Sequence, residues 1–489
     1  MNIHVNHSSR TAIYLQIATQ MKAQILSGEI AAGSSLPSER AMAQRLGVHR
    51  NTVIKAYAEL KAEELIVSQQ GVGYVVALPP NAQSSGKKAK KVHWVSQIKD
   101  EHVDMEVTFD DLFQRFGDEN IISLGSGLAT PEIYNNQKVA ADIAGLITEE
   151  GKTQYFYSPY QGDKNLRQKL VSFLSTKGVK ATPGEIQILT ETNQALDFIV
   201  TLLLREGDTV LMEEPVSPDA YRTVELAGGT VITVPVDQDG ICCDRLEELI
   251  LLHQPRFLYV NSSFHDPTGA ILSIERRHRI VELSQKHRLI VIEEDAASEL
   301  VYSGTKYLPL KAYDNLNNLV YIYSFSLTFM PGLSLAFVVG DKELIRRLSY
   351  LVSVRMVATD WMTQKLIAKY LEDGTYYQAL EVFRDSYFWK QELICRKLDE
   401  MKDLGVDYHR PRGGVYVWCS LPAGVDSKEL VNSAYHAGVA ILPGYVFYPN
   451  KNGGRDHIRL NYSYETPENI LEGMERLKAA IKRELAHKK

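Results

Sequence analysis

Between about residues 185 and 295 the chain alternates short apolar runs with longer stretches in which apolar residues recur every three or four positions. EIQILT, TVLMEE, TVITVPV, RFLYVNS and LIVIEED read as strands, and NQALDFIVTLLL, DAYRTVELA, CDRLEELILL and IERRHRIVELSQKH between them read as helices. This βα alternation predicts an α/β fold with a mostly parallel central sheet covered by helices on both faces. In such sheets ligands bind at the carboxyl ends of the strands. The first 78 residues follow another pattern. TAIYLQIATQMKAQILS carries Ile13, Ile17, Met21 and Ile25 at helical spacing, and Gly28 ends it. Ser38 is placed to cap a second helix, SERAMAQRL, which Gly47 breaks, and a third runs from about His49 to Glu63. LIVSQQGVGYVVAL then reads as two strands around the turn Gly71-Val72-Gly73. Two short helices joined at a glycine make a helix-turn-helix, here with a wing.

At 489 residues the chain is too long for one core. The pattern divides it into a head over 1–78, a linker over 79–103 rich in Pro, Ser, Gly and Lys, and a body over 104–489. Charge sharpens that division. Through Lys91 there are eleven Lys or Arg against five Glu, a net of +6, whereas the remainder carries −12. A basic head on an acidic body points to anion binding, with nucleic acid the first candidate and a partnerless basic tail the bland alternative. The run Lys87-Lys88-Ala89-Lys90-Lys91 reads as solvated tether more than as a phosphate contact.

Cys242, Cys243, Cys395 and Cys419 form neither a disulfide framework nor a metal-ligand spacing, which fits a reducing cytoplasm. There is no apolar signal core and no stretch long enough to cross a membrane. His253, His265, His278 and His287 lack ligand-like pairing, so no metal site is expected. Tyr155, Tyr157 and Tyr160 cluster, and packing at a dimer or domain seam suits them better than base stacking.

The third helix carries Arg50, Asn51, Thr52 and Lys55 on or near its first turn, where base edges and phosphates of double-stranded DNA are reached in the major groove. YLQI, LSGEIAAGSSLPSERAMAQRLGV, HRNTVIKAY and QGVGYVV together resemble the GntR family of winged helix-turn-helix regulators over about 70 residues. The resemblance implies that Arg40 and Arg50 contact bases or phosphates and that Thr52 faces the backbone. It also implies that the wing glycines Gly71 and Gly73 let main chain approach the minor groove. With Ser38, Asn51 and Lys55 these are the expected DNA-binding residues. Glu64 stands where the family usually turns on glycine, so the corner before the wing is expected to differ locally.

The body resembles fold-type-I aminotransferases, and with this head the whole chain is similar to MocR/GabR-type regulators. The landmarks, in order, are YSPYQGDKNLRQKL, REGDTVLMEEPVSP, DPTGAIL, EEDAASELVYSG, YSFSLTFMPGLSLAFVVG, PRGGVYVWCSLP and HIRLNYS. That resemblance implies a smaller C-terminal α+β subdomain from about 360 to 489 and a pyridoxal phosphate site. Such a site needs a Schiff-base lysine, a carboxylate on the ring nitrogen and groups that hold the phosphate. The lysine of the family's Ser-x-Ser-Lys sequence is replaced by Leu327, after Ser324 and Ser326. The phosphate-gripping arginine is replaced by Ser334, the asparagine before Pro-Thr-Gly by Asp266, the stacking aromatic by Ser217 and the cradle glycine by Glu191. The ring-nitrogen aspartate aligns with Glu294, with Asp295 adjacent, and Ala296 and Ala297 stand where a tyrosine usually follows. Arg459, in HIRLNYS, matches the arginine that clamps a substrate carboxylate, and a purely structural ion pair is the alternative.

These residues lead to the expectation of a cytoplasmic bacterial transcription regulator without catalytic residues, whose cofactor is absent or at most weak and non-covalent. Asp266, Glu294, Asp295, Ser324, Ser326 and Arg459 are the candidates for an effector pocket taking an amine or an amino acid. A homodimer is expected, with two heads on two half-sites, a geometry that in the family can be head-to-tail. The alternatives are an active aminotransferase with a regulatory head, against which Leu327 counts and for which Lys306 is wrongly spaced, and a body that sets dimer geometry without sensing anything.

Overall fold

A computed structural model describes residues 3–6, 11–69, 72–77, 112, 115–118, 120–127, 135–149, 151, 155–450 and 453–487. The linker over 79–103, its basic run and Gly71 lie outside the described residues. The chain divides into two units, Met1–Asp110 and Asp111–Lys489.

In the first unit, α1 (Ile13–Leu26), α2 (Glu39–Leu46) and α3 (Arg50–Ala62) precede an antiparallel hairpin of β1 (Ile66–Gln69) and β2 (Gly73–Val76). Ser38 caps α2 by accepting from the Ala41 N–H at 3.2 Å, and Gly47 ends it in the left-handed region at φ 64. His49 caps α3 through Nδ1, which accepts from the Asn51 N–H at 3.3 Å. Ile17 and Met21 of α1, Met42 of α2 and Val53, Ala56, Tyr57 and Leu60 of α3 meet in one core, closed by Ile66 and Val76 of the wing. The Tyr57 hydroxyl donates to the Pro37 carbonyl at 2.8 Å and ties α3 to the turn before α2.

The corner before the wing is not altered by Glu64. Glu64 itself takes φ 60, its N–H reaches the Lys61 carbonyl at 3.0 Å, and the Leu65 N–H reaches Leu60 at 2.9 Å. That is the double hydrogen bond of a glycine-type helix end, formed by a residue with a Cβ.

The second unit is built on an eight-stranded sheet in the order β4-β11-β10-β9-β8-β5-β6-β7. Its strands are β4 (Ile186–Leu189), β5 (Thr209–Glu214), β6 (Thr230–Asp237), β7 (Gly240–Ile241), β8 (Phe257–Asn261), β9 (Ile290–Asp295), β10 (Leu319–Ser324) and β11 (Ala336–Val339). The run from β10 through β9, β8 and β5 to β6 is parallel; β11 and β7 pair antiparallel with their neighbours. Ahead of the sheet come β3 (Ile122–Ser123), α4 (Asn136–Glu149) and α5 (Lys164–Thr176). The strands are covered by α6 (Thr192–Leu203), α7 (Pro218–Leu226), α8 (Cys243–His253), α9 (Ile274–His287) and α10 (Lys342–Arg355). On one face, Leu196 and Ile199 of α6, Tyr221 and Val224 of α7 and Leu348 and Val352 of α10 pack on Met212, Tyr259, Ile292 and Ile322. On the other, Leu246 and Leu249 of α8 and Ile280 and Leu283 of α9 pack on Leu211, Leu258, Val260 and Val291.

After α11 (Trp361–Asp373) and α12 (Thr375–Asp399) comes a four-stranded sheet in the order β12-β13-β16-β15. It joins β12 (Asp407–Tyr408), β13 (Tyr416–Ser420), β15 (Leu442–Pro443) and β16 (His457–Asn461), with α13 (Ser427–His436) and β14 (Val439–Ala440) between and α14 (Pro467–His487) last. β3 pairs in parallel with β14, Ile122 opposite Val439, so a segment from the front of this unit is laced into its C-terminal part.

Glu64→Gly should stabilise the head. A left-handed residue with a Cβ is strained by ~1–2 kcal/mol, and glycine returns ~0.5–1 kcal/mol of that through its freer unfolded chain. Thermal unfolding of the full chain should show the transition of the head raised by a few degrees. An unchanged or lowered transition would mean that the corner is not strained.

Candidate ligand pocket and DNA-reading surface

On the head, Arg40, Arg50 and Asn51 are exposed, while Thr52 and Lys55 are half-buried. Arg50 donates to Glu39 of α2 at 2.9 Å, which holds its guanidinium beside the first turn of α3. The Lys55 ammonium lies 5.6 Å above the Tyr14 ring. Ser38 is committed to capping α2. Gly73 opens β2 at φ 99, a backbone that a residue with a side chain rarely adopts.

In the body, strand alternation decides which carboxylates share a face of the sheet. Neighbouring side chains leave a strand on opposite faces. Tyr259 and Ile292 lie in the core beneath α6, α7 and α10. Asn261 and Glu294, two residues further along their strands and opposite each other in register, therefore continue that face at the carboxyl ends. The Tyr259 hydroxyl donates to Glu294. Burial pushes the Glu294 carboxyl up to about 7 against the pull of the Tyr259 and Thr192 hydroxyls, and Asp266 and Asp219 push it further up.

The N-terminus of α6 stands over these strand ends. Glu191, its cap residue, makes no capping bond with its side chain. Its carboxylate instead accepts from the Ser326 hydroxyl at 2.5 Å and from the Ser324 hydroxyl at 3.3 Å. Leu327 follows directly and is 8% exposed. Ser334 turns its hydroxyl back to the Pro331 carbonyl at 2.7 Å. Ser217 and Ala296 are half-buried, and Ser217 makes no capping bond at the start of α7.

Arg459 enters from β16 and is 6% exposed. It donates to Asp266 at 2.7 Å and to the Gly125 carbonyl at 2.9 Å. The Tyr416 ring covers it at 4.1 Å and the Phe447 ring lies at 5.2 Å. Its Nε is buried with no hydrogen-bond partner among the described residues. Burial opposes the charge, but Asp266, Tyr416 and Asp219 together outweigh burial and raise the arginine's pKa. Of the two expectations for Arg459, the geometry shows the ion pair, and its partner Asp266 is another of the pocket candidates.

Asp295 is a correction to the expected pocket. One residue past Glu294, it leaves the opposite face, where its carboxylate accepts from the Ser298 N–H at 2.9 Å and the Tyr321 hydroxyl at 2.6 Å. Lys177 lies 3.5 Å from it and 2.7 Å from Glu299, in a buried cluster apart from Glu294. Glu213 and His265 form another buried pair at 3.5 Å. Burial pushes Glu213 up to about 8, against the Asn261 N–H that it accepts, and drives His265 down to about 3. Burial thus favours the neutral form of each.

Residue-by-residue reading missed Tyr259, Asn261, Thr192, Asp219 and Tyr416. Tyr259 and Asn261 carry the signal of period-2 spacing along one strand, but their alignment with Glu294 needs the register of two strands. Tyr416 stands in PRGGVYVW, which marks its strand and not its stacking on Arg459.

Comparison with known proteins matches residues 119–477 to the family "Aminotransferase class I and II" and residues 13–76 to "Bacterial regulatory proteins, gntR family". The 2-aminoadipate transaminase of Thermus thermophilus is 34% identical over 370 residues, covering 75% of this chain and 91% of that one. The uncharacterized HTH-type transcriptional regulator YdfD of Bacillus subtilis is 28% identical over 470 residues, 96% of each chain. Among solved structures, the alpha-aminoadipate aminotransferase LysN of Thermus thermophilus, complexed with N-(5'-phosphopyridoxyl)-L-leucine, superposes with a TM-score of 0.74 at 30% identity, covering 81% of this chain and 100% of that one. Among the described residues no group of side chains is arranged to hold a metal ion, and no helix is long and apolar enough to cross a membrane.

The Glu213 site yields a pH prediction. A carboxyl raised from 4.5 to about 8 on folding stabilises the fold fully below pH 4.5, and that contribution is lost as pH rises through 8. Glu213→Gln mimics the protonated acid. Denaturant unfolding should show the variant losing less stability than the unaltered chain between about pH 6 and 9. Parallel pH profiles would mean that Glu213 is ionised in the fold.

Proposed function

This chain belongs to the aminotransferase class I and II family and carries a gntR-family regulatory head, and from that premise we propose that it is a DNA-binding transcription regulator whose body senses a small molecule without its relatives' cofactor. The observation that carries the loss of cofactor is the Glu191 carboxylate, held by Ser324 and Ser326 at the N-terminus of α6. A helix N-terminus flanked by hydroxyls is a ready anion site, and here a carboxylate of the protein takes the hydroxyls. A phosphate brought to the same place meets like charge, worth ~4 kcal/mol per pair of unit charges ~4 Å apart at an effective dielectric of ~20.

Leu327 supports the same reading, because a leucine forms no imine. Lys177 and Lys306 do not replace it. Both are paired with Glu299, and Lys177 is held protonated because Asp295 and Glu299 outweigh its burial. A protonated amine is not a nucleophile. The residues present therefore do not fit pyridoxal phosphate.

Arg40, Arg50, Asn51, Thr52 and Lys55 are the groups that would read DNA, with Gly73 in the wing and Ser38 fixing the start of α2. Tyr155, Phe156 and Tyr157 are more than 70% exposed and Tyr160 is 52% exposed, an apolar surface that supports assembly into a homodimer. Ligand in the body would shift the population of head spacings, and so the fit to two half-sites. A second reading, an active enzyme with a regulatory head, draws on the aminotransferase relatives.

The purified chain should be colourless and should bind its own upstream DNA with an affinity that falls steeply as salt rises. Arg50→Ala and Arg40→Ala should each weaken that binding by ~1–3 kcal/mol where a base contact is lost, or lower the salt slope by about 1 where a phosphate contact is lost. A near-visible chromophore released only by breaking a lysine imine would overturn the cofactor-free body. Salt-insensitive DNA binding would overturn the role of the head.

A further inference from the structure

We propose that the pocket at the carboxyl ends of β8 and β9 takes a small primary amine that carries neither carboxylate nor phosphate, an amino alcohol or a diamine. This rests on the reading of the body as cofactor-free and names the class of its ligand. Three observations carry it.

The first is that both anion subsites are filled from within. Glu191 sits on Ser324 and Ser326, and Asp266 occupies the Arg459 guanidinium at 2.7 Å while the Gly125 carbonyl takes a second donor. A ligand carboxylate would have to displace Asp266 from a buried, aromatic-covered arginine. An amine has nothing to displace.

The second is charge. Glu191, Asp219, Asp266 and Glu294 approach this space, and the Arg459 guanidinium opposite them is already paired with Asp266. The carboxylate of Glu294 has hydroxyl donors, Tyr259 and Thr192, and no ion-pair partner among the described residues.

The third is a pair of orphaned polar atoms. The Asn261 side-chain oxygen, beside Glu294 in register, is buried without a donor among the described residues. The Arg459 Nε, on a side chain more than nine-tenths buried, is without an acceptor among them. An ammonium would satisfy Asn261 and Glu294, and a neutral oxygen would satisfy Nε, since the charge of Arg459 is already balanced.

The affinity should depend on pH. The groups facing Glu294 are Tyr259 of β8, Thr192 and the adjacent Glu191 of α6, Asp219 of α7, Asp266 after β8, and Arg459 and Tyr416 of the smaller sheet. An aliphatic amine stays protonated near neutrality. With Glu294 at about 7, binding should strengthen roughly tenfold from about pH 6 to about pH 8, following its ionised fraction.

The test is calorimetric titration of the full chain with 4-aminobutan-1-ol, 1,4-diaminobutane and 5-aminopentanoate at about pH 6, 7 and 8. Absorbance is recorded after incubation with pyridoxal phosphate and dialysis. The expected result is saturable binding of the amino alcohol or the diamine, stronger at the highest pH, with 5-aminopentanoate at least tenfold weaker. Glu294→Gln, which keeps size and hydrogen bonding, should weaken amine binding at least tenfold and flatten its pH dependence. Asp266→Asn should bring 5-aminopentanoate to the freed arginine. Amine binding that ignores both pH and Glu294→Gln, tighter binding of 5-aminopentanoate to the unaltered chain, or no heat from either amine overturns the proposal. Retained pyridoxal phosphate overturns the cofactor-free reading and this proposal with it, whereas a colourless chain that takes no amine overturns this proposal alone.

Discussion

In the parallel core of the body, the central strands β5, β8, β9 and β10 are buried on both faces and send successive side chains to opposite layers. The sequence Glu293-Glu294-Asp295 on β9 passes through that constraint and is split by it. Glu294 faces the ligand space, while Glu293 and Asp295 face the other layer. There Glu293 accepts from the Leu310 and Lys311 N–H groups at 2.7 and 2.9 Å, and Asp295 joins Lys177 and Tyr321. Two of three consecutive carboxylates thus stabilise the scaffold. The third is left with hydroxyl partners at the strand ends.

The pocket is organised by substitutions of charge rather than of shape. A buried carboxylate must be paired, hydrogen-bonded or protonated. Asp266 is paired, Glu191 is hydrogen-bonded, and Glu294 titrates near neutrality. Each is a different solution to the same desolvation cost, and together they place carboxylates on the Ser324 and Ser326 hydroxyls and on the Arg459 guanidinium. An aminotransferase fold needs its strand ends, its helix N-terminus and its arginine in fixed positions, and all three persist here under altered chemistry.

The head follows a separate logic, in which local sequence is nearly sufficient. Its caps, breaks and apolar spacing lie within a few residues of the structures they specify, as with Ser38 before α2 and Gly47 after it. Glu64 is the instructive exception. Its identity argues against a left-handed corner, yet the packing of Leu60, Ile66 and Val76 on either side imposes one.

Period and capping determined the helix-turn-helix, the wing, and the βα order of the body. TVLMEE and IERRHRIVELSQKH coincide with β5 and α9 to the residue. The seven landmarks in order also identified the positions of altered chemistry, among them Leu327, Glu191 and Asp266. Tertiary structure alone decided what those altered residues do. That Asp295 turns away depends on which face of β9 is covered by which helices. That Glu191 meets Ser324 and Ser326, far later in the chain, depends on β4 and β10 both pairing with β11. The closure of Arg459 by Asp266 depends on the smaller sheet bringing β16 to the end of β8. Local rules act between residues a few positions apart, whereas the electrostatics of a buried site is set by which distant charges the fold brings within a few ångströms and shields from water.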